Sequence, residues 1–141
     1  MVMAMILGAG KVAHAQTQVA SYAFGKPGTA TYERLSFWVK DGQRTDIYYA
    51  YGAARKEAKL NYLSKAQLNN KPGFKVRFSN GHVLAIVPEG LLLQVGDAPG
   101  KASKSFAWEY EGPVNGIGTF CQSCAADEKE AMRIIRTYYL K

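Results

Sequence analysis

The chain of 141 residues is 48% apolar and 21% charged, and its formal net charge is +7. This length fits one domain and is too short for two ordinary domains side by side, and the composition excludes a largely disordered chain. The basic residues form no block longer than Arg55-Lys56, so the charge does not favour nucleic acid as a partner.

The N-terminal segment has the composition of a signal peptide. Its first ten residues are apolar, and Ala13 and Ala15 are the small residues that a signal peptidase accepts. We therefore expect residues 1–15 to be removed, which takes away Lys11 and leaves a mature chain with a formal charge of +6. No basic residue precedes the apolar run, which is compatible with a translation start further upstream; a buried N-terminal strand is the alternative.

The remaining chain contains no uninterrupted apolar run near the ~20 residues of a transmembrane helix. We therefore expect a secreted or periplasmic protein without a transmembrane segment.

Three strands are predicted after the signal peptide, at residues 18–24, 32–40 and 45–51. They are separated by segments rich in glycine, proline and aspartate, which favour turns. Residues 32–40 alternate apolar and polar side chains with a period of two, as a strand with one buried face does. The Asp41-Gly42 pair predicts a hairpin to the third strand, with its loop length and register left open.

A second hairpin is predicted at residues 74–87, around Asn80-Gly81. Both turn residues tolerate positive φ, so they fit a two-residue type I′ turn. In that register three apolar pairs share one face of the hairpin: Phe78 with Val83, Val76 with Ala85, and Phe74 with Val87.

The other segments complete a β-rich pattern. Residues 53–58 are expected to form a short helical turn or a loop, and residues 60–63, 91–95 and 106–110 are expected to be strands. Because no helix of crossover length separates the strands, the sheet should be antiparallel. We expect a single domain over residues 16–141 of the α+β class, mostly β, whose curled sheet of about 7–8 strands forms a sandwich or small barrel.

One amphipathic helix is predicted at the C terminus, over residues 127–139. Apolar residues recur there with helical spacing, at Ala131, Ile134, Ile135 and Tyr138, and Met132 and Tyr139 widen this apolar stripe. Asp127 and Glu130 match a capping box at the start of this helix.

Cys121 and Cys124 form a CxxC pair just before the predicted helix. In an exported protein we expect a structural disulfide between them. A redox site is one alternative, because a helix start favours the thiolate, and a metal site is another. The acidic residues that follow the pair oppose a lowered thiol pKa, and too little chain remains for a thioredoxin-like sheet.

No catalytic or metal-binding set can be assembled from the predicted elements. The mature chain has two cysteines and one histidine, His82, which are too few for a zinc site with four soft ligands. His82 flanks a predicted turn and is expected to be solvated. The chain has no Gly-x-Ser-x-Gly motif for nucleophilic catalysis. We assign no catalytic residue, metal or cofactor.

Carboxylates and aromatic side chains on the predicted strands are the candidate ligand-facing groups. Glu109 and Glu111 lie two residues apart on one strand and are therefore predicted to share a face, as paired carboxylates do in glycoside hydrolases. Ordinary alternation on a half-buried edge strand is the alternative. The rings that can stack on a sugar or instead fill the core are those of Trp38, Tyr48, Tyr49, Trp108 and Tyr110.

These observations predict a non-enzymatic, exported binding domain or envelope-associated domain. Its basic charge favours an acidic polysaccharide, another polyanion or a protein partner. The alternatives are a secreted hydrolase acting on glycans and a CxxC redox protein.

Overall fold

The computed structural model describes residues 17–68, 70–97, 103–113, 119–120 and 132–140. These residues form nine strands and one short helical segment. The strands are β1 (Thr17–Phe24), β2 (Glu33–Lys40), β3 (Gln43–Tyr51), β4 (Lys56–Leu68), β5 (Lys71–Phe78), β6 (Val83–Glu89), β7 (Leu92–Gly96), β8 (Ser103–Pro113) and β9 (Thr119–Phe120).

Strands β1 to β8 form a closed antiparallel barrel. Each strand pairs with the next one along the chain, and β1 also pairs with β8, which closes the sheet. The short strand β9 pairs with the end of β8. The prediction of a β-rich, antiparallel fold is therefore confirmed, and of the two predicted alternatives, a sandwich or a small barrel, the structure shows the barrel. Closure leaves β1 and β8 paired on both sides.

The first tight turn follows its sequence signature. Asp41 and Gly42 both have positive φ, 54° and 75°, and Lys40 pairs with Gln43. This is the two-residue hairpin that the Asp-Gly pair favours. The next connection is a turn at residues 52–55, and β4 already begins at Lys56, so residues 56–58 belong to a strand and not to a helical turn or loop.

The hairpin of β5 and β6 has a different register from the predicted one. Val76 pairs with Leu84 instead of Ala85. The Gly81 amide donates a hydrogen bond to the Phe78 carbonyl at 3.0 Å, and Gly81 has a φ of 95°. The loop therefore has three residues, a type I turn followed by a left-handed glycine, and the predicted two-residue type I′ turn is wrong.

A physical reason for this register is the area that it buries. It turns Leu84 and Ile86 into the barrel, where they are 8% and 0% exposed, in place of the smaller valines and alanine of the predicted face. The Asn80 side chain also satisfies a backbone group, because its Oδ1 accepts a hydrogen bond from the His82 amide at 2.9 Å.

Aromatic rings fill the middle of the barrel. The Phe37 ring meets those of Tyr22, Phe74 and Tyr139 edge to face or nearly so, with centroids 6.0, 5.8 and 5.3 Å away. All four side chains are fully buried. Edge-to-face packing adds to the gain from burying these large apolar surfaces.

Residues 132–140 close one end of the barrel, and we call them the C-terminal plug. Met132, Ile134, Ile135 and Tyr139 of the plug are fully buried within the core. Residues 135–139 form a π-helical turn, in which the Leu140 amide donates to the Ile135 carbonyl at 3.0 Å.

The predicted α-helix over residues 127–139 is therefore not what the described part of this segment shows, and residues 127–131 lie outside the described residues. A π-turn takes more residues per turn than an α-helix. The inward position accordingly falls on Tyr139, which the predicted stripe includes at its edge, whereas Tyr138 at its centre is only half-buried.

Hydrogen bonds fix the plug at the end of the barrel where β1 begins and β2 ends. Tyr139 donates its hydroxyl to the Trp38 carbonyl at 2.6 Å. Arg44 donates to the Tyr138 carbonyl at 2.8 Å, and Tyr62 donates to the carbonyl of Tyr139 at 3.2 Å. The bonds from Arg44 and Tyr62 satisfy carbonyl groups that the last turn leaves without helical partners.

Two predictions fall on other parts of the chain. The expected signal peptide and the expected disulfide between Cys121 and Cys124 lie outside the described residues and stay predictions. The helical residues that the structure does describe form no segment with the length and hydropathy needed to cross a bilayer.

Candidate functional site

The end of the barrel opposite the plug holds a cavity of about 300 Å³. Strands β1, β3, β5 and β7 end there, and β2, β4, β6 and β8 begin there. We call this cavity the mouth. It is lined by Glu33, Tyr49, Phe78, His82, Leu84, Val95, Gly96, Asp97, Lys104 and Phe106.

The deeper wall of the mouth is apolar. Leu84, Val95 and Phe106 are 8%, 6% and 1% exposed, and all belong to the hydrophobic core. The Phe24 ring packs next to Phe106 of this wall, and the two ring centroids are 5.8 Å apart. A ligand that reaches this wall would meet hydrocarbon and ring surface.

Glu33 is the central polar group of the mouth. Its side chain is 15% exposed, and its Oε1 accepts a hydrogen bond from the Tyr49 hydroxyl at 3.0 Å. The Lys104 ammonium group forms an ion pair with its other carboxylate oxygen. A phenol is protonated at neutral pH and can donate, and burial together with the hydrogen bond to Glu33 raises the pKa of the Tyr49 phenol further.

Lys104 and Glu33 meet because the barrel closes through β1. Phe24 at the end of β1 pairs with Glu33 at the start of β2, and β8 lies on the other side of β1. The Lys104 ammonium lies 5.2 Å from the centroid of the Phe24 ring. The cation therefore interacts with a carboxylate and an aromatic face at the same time.

His82 and Asp97 form a second polar pair at the rim. The His82 Nε2 atom lies 3.2 Å from Asp97 Oδ1, and the His82 ring packs against Phe78 with centroids 5.8 Å apart. His82 therefore borders the mouth as well as solvent, a position that its turn context alone does not reveal.

Aromatic rings form one side of the mouth. The Tyr49 ring meets the Phe78 ring edge to face at 5.3 Å and stacks on Tyr51 at 5.5 Å. Tyr51 is 43% exposed, so this row of rings reaches from the barrel interior to solvent.

The structure separates the aromatic residues that the sequence suggested. Tyr49 lines the mouth. Trp108 is 3% exposed within the core, and Tyr110 is half-buried. Trp38 and Tyr48 pack edge to face with centroids 5.9 Å apart and do not line the mouth.

The two candidate carboxylates occupy different surroundings. The pairing of β1 with β8 shifts in register so that Tyr22 faces Trp108 and the next residue, Ser21, faces Tyr110. Glu109 is the extra residue of this bulge and is half-exposed, whereas Glu111 is 3% exposed at the plugged end. A bulge interrupts the alternation of side chains along a strand. The prediction that Glu109 and Glu111 share a face rested on that alternation.

Metal binding finds no support in the described ranges. They contain no group of three or more His, Cys, Asp or Glu side chains arranged around a common point. The described lining of the mouth has two acidic side chains, Glu33 and Asp97, and one histidine, and both carboxylates already pair with other groups.

Comparison of the chain with known protein families, with curated proteins and with solved structures finds no match. The chemistry of the mouth is therefore the basis on which a function has to be argued.

Proposed function

We propose that this protein binds a small amphipathic molecule in the mouth of its barrel. The observation that carries this proposal is a cavity of about 300 Å³ with an apolar wall and a polar rim, at one end of a barrel whose other end is closed by the C-terminal plug. Cavities of roughly 300–1,000 Å³ with a few placed polar groups are typical of small-molecule sites, and barrel mouths are a common location for them.

The dimensions of the barrel support a small ligand. Eight strands enclose an interior just wide enough to be filled by side chains or to hold one small molecule. The plug fills the plugged end of the interior with Met132, Ile134, Ile135 and Tyr139. At the mouth, the interior keeps an apolar wall of Leu84, Val95 and Phe106. Burial of hydrocarbon against this wall is favourable by roughly 25 cal/mol per Å².

Binding is better supported than catalysis. The described residues that line the mouth include no serine, threonine or cysteine, so among them the His82–Asp97 pair has no nucleophile beside it. Glu109 and Glu111, the pair considered for glycan hydrolysis, do not line the mouth either. A hydrolase is thus the less favoured proposal.

The expected polyanionic ligand and the expected export both bear on this proposal. The described lining of the mouth carries two carboxylates and one lysine, so an acidic polysaccharide suits the outer surface better than the mouth. Export remains part of the proposal, since β1 begins at Thr17 and removal of residues 1–15 would leave the barrel whole.

The test is a titration with the neutral fluorescent dye N-phenyl-1-naphthylamine. The unmodified protein should bind one dye molecule saturably. Leu84→Trp, which puts a larger side chain into the mouth, should weaken binding by about tenfold or more.

The matched control is Val83→Trp. Val83 is the neighbour of Leu84 on β6 and points to the outer face of the barrel, so its replacement adds the same ring outside the mouth. Equal dye affinity in both variants, with circular dichroism showing that both are folded, would refute a ligand site in the mouth.

A further inference from the structure

Among the described residues that line the mouth, carboxylates outnumber lysine and arginine. Glu33 and Asp97 are the two carboxylates of this lining, and Lys104 is its one lysine. The overall chain has a positive formal charge, at +7. The side chains of the mouth therefore favour a different class of ligand from the one that the net charge suggests.

Lys104 shows what kind of group the site accommodates. Its ammonium pairs with Glu33 and lies 5.2 Å from the centre of the Phe24 ring. The Glu33 side chain is 15% exposed and that of Lys104 is 52% exposed. A half-buried carboxylate needs a cationic partner, whereas a flexible lysine at the rim can return to water at little cost.

The aromatic side of the mouth is also suited to a cation. The Tyr49 hydroxyl donates to Glu33 at 3.0 Å and thereby fixes the carboxylate, and Phe78 packs edge to face against the Tyr49 ring. Aromatic faces beside a carboxylate attract ammonium groups, including quaternary ones that cannot donate hydrogen bonds.

We infer that the ligand of the mouth carries a cationic head group, an amine or quaternary ammonium, which binds at Glu33 in place of Lys104 while its apolar part lies against Leu84, Val95 and Phe106. The inference rests on the proposed function, because it specifies the chemistry of the same cavity. Lys104 is then an internal competitor of the ligand and not its anchor.

Three probes that share one hydrocarbon chain separate the possibilities. We would titrate the full chain by calorimetry with hexyltrimethylammonium, hexyl sulfate and hexanol. The ammonium probe should bind about fivefold or more tightly than hexanol, and the sulfate should bind most weakly.

Two variants assign the preference to the named residues. Glu33→Gln should remove the preference for the ammonium probe over hexanol. Lys104→Met should tighten binding of the ammonium probe by about threefold, because it removes the competing internal cation. Lys75→Met, on the outer face of β5, is the control for the loss of one positive charge and should change the affinity less.

The outcomes distinguish the inference from the proposed function. If none of the three probes binds and the dye does not bind either, the proposed function fails and the inference fails with it; if the dye alone binds, only the inference fails. If the probes bind with equal affinity, or hexyl sulfate binds best and Lys104→Met abolishes its binding, the mouth is a ligand site but the cationic class is wrong. The Lys104→Met result keeps the test decisive even if Glu33→Gln does not fold.

Discussion

Glu111 lies buried at the plugged end of the barrel, where it contacts the C-terminal plug. Its Oε2 atom is 3.4 Å from Nε of Arg133, and Arg133 also donates to the Gln18 side chain at 3.3 Å. The carboxylate therefore links β8 to the plug, while β1 adds a second contact to the same arginine. A buried charge in such a position stabilises the fold only if its partner is present.

We expect Glu111→Gln to lower the free energy of unfolding by about 1–3 kcal/mol, because Arg133 loses its ionic partner while the shape of the side chain is kept. Urea denaturation followed by circular dichroism measures this. Glu109→Gln on the same strand is the matched control and should change stability by less than about 0.5 kcal/mol. A Glu111→Gln variant as stable as the unmodified protein would mean that burying the carboxylate costs as much as its attraction to Arg133 provides.

At the level of single residues, the sequence predicts much of the hairpin of β5 and β6 but not its register. Asn80-Gly81 correctly marks the turn. Both a two-residue and a three-residue loop are compatible with that pair, and either register presents an apolar row to one face. The choice depends on the rest of the barrel, where Leu84 and Ile86 belong to one core with residues of strands that are distant in sequence, so local propensity cannot decide it.

Among the secondary-structure elements, the plug lies outside the sheet and adds side chains to the core that the strands form. Tyr139 is fully buried, its ring packs near Phe37 and Phe74 at 5.3 and 5.7 Å, and its hydroxyl donates to the Trp38 carbonyl. One residue thus joins the plug to strands β2 and β5 at once.

Tyr139→Ala should destabilise the protein by about 3–5 kcal/mol, since it removes a buried aromatic side chain and leaves a cavity in the core. Tyr138→Ala removes a ring of the same size from a half-buried position and should cost clearly less. Thermal or urea denaturation of the two variants gives the comparison. Equal losses at both positions would show that the outward ring contributes as much as the inward one and would contradict the observed π-turn.

The helical character of the C terminus follows from the apolar spacing in the sequence, but its winding does not. The i, i+3, i+4, i+7 pattern places Tyr138 in the buried row of an α-helix. In the barrel, the Tyr139 ring instead fits between Phe37 and Phe74, and one wider turn brings it there. Packing against strands far away in sequence therefore overrides the local period.

For the molecule as a whole, barrel closure creates the mouth. The alternation of apolar and polar residues predicts curled strands, and turn chemistry predicts where most of them end. Glu33 and Lys104 are 71 positions apart, and they meet only because β8 pairs with β1 beside β2. Neither residue stands out in the sequence, since single charges at strand ends are ordinary. The signal that could have found them is the order of the strands around a closed barrel, because that order shows which strand ends meet at one end of the barrel.

The closed core also determines how the protein responds to alkaline pH. Tyr22 and Tyr139 are fully buried. Burial raises the pKa of both phenols, and the charge of Glu111 raises that of Tyr22 further. Below the ordinary phenol pKa of about 10 both residues are protonated whether the chain is folded or not, so they add no pH dependence there.

Above about pH 10 the unfolded chain releases these two protons while the folded chain keeps them, so stability should fall as pH rises towards the folded pKa values. Each phenol contributes at most about 1.4 kcal/mol per pH unit to this slope. We would measure urea midpoints between about pH 8 and about pH 11, with tyrosinate absorbance recorded in the same samples. In Tyr22→Phe the slope above about pH 10 should be shallower by the share of one phenol, whatever the absolute stability of the variant. An unchanged slope in Tyr22→Phe, or full ionisation of all nine tyrosines in a protein that is still folded, would show that the two phenols titrate in the native barrel and that burial does not hold their protons.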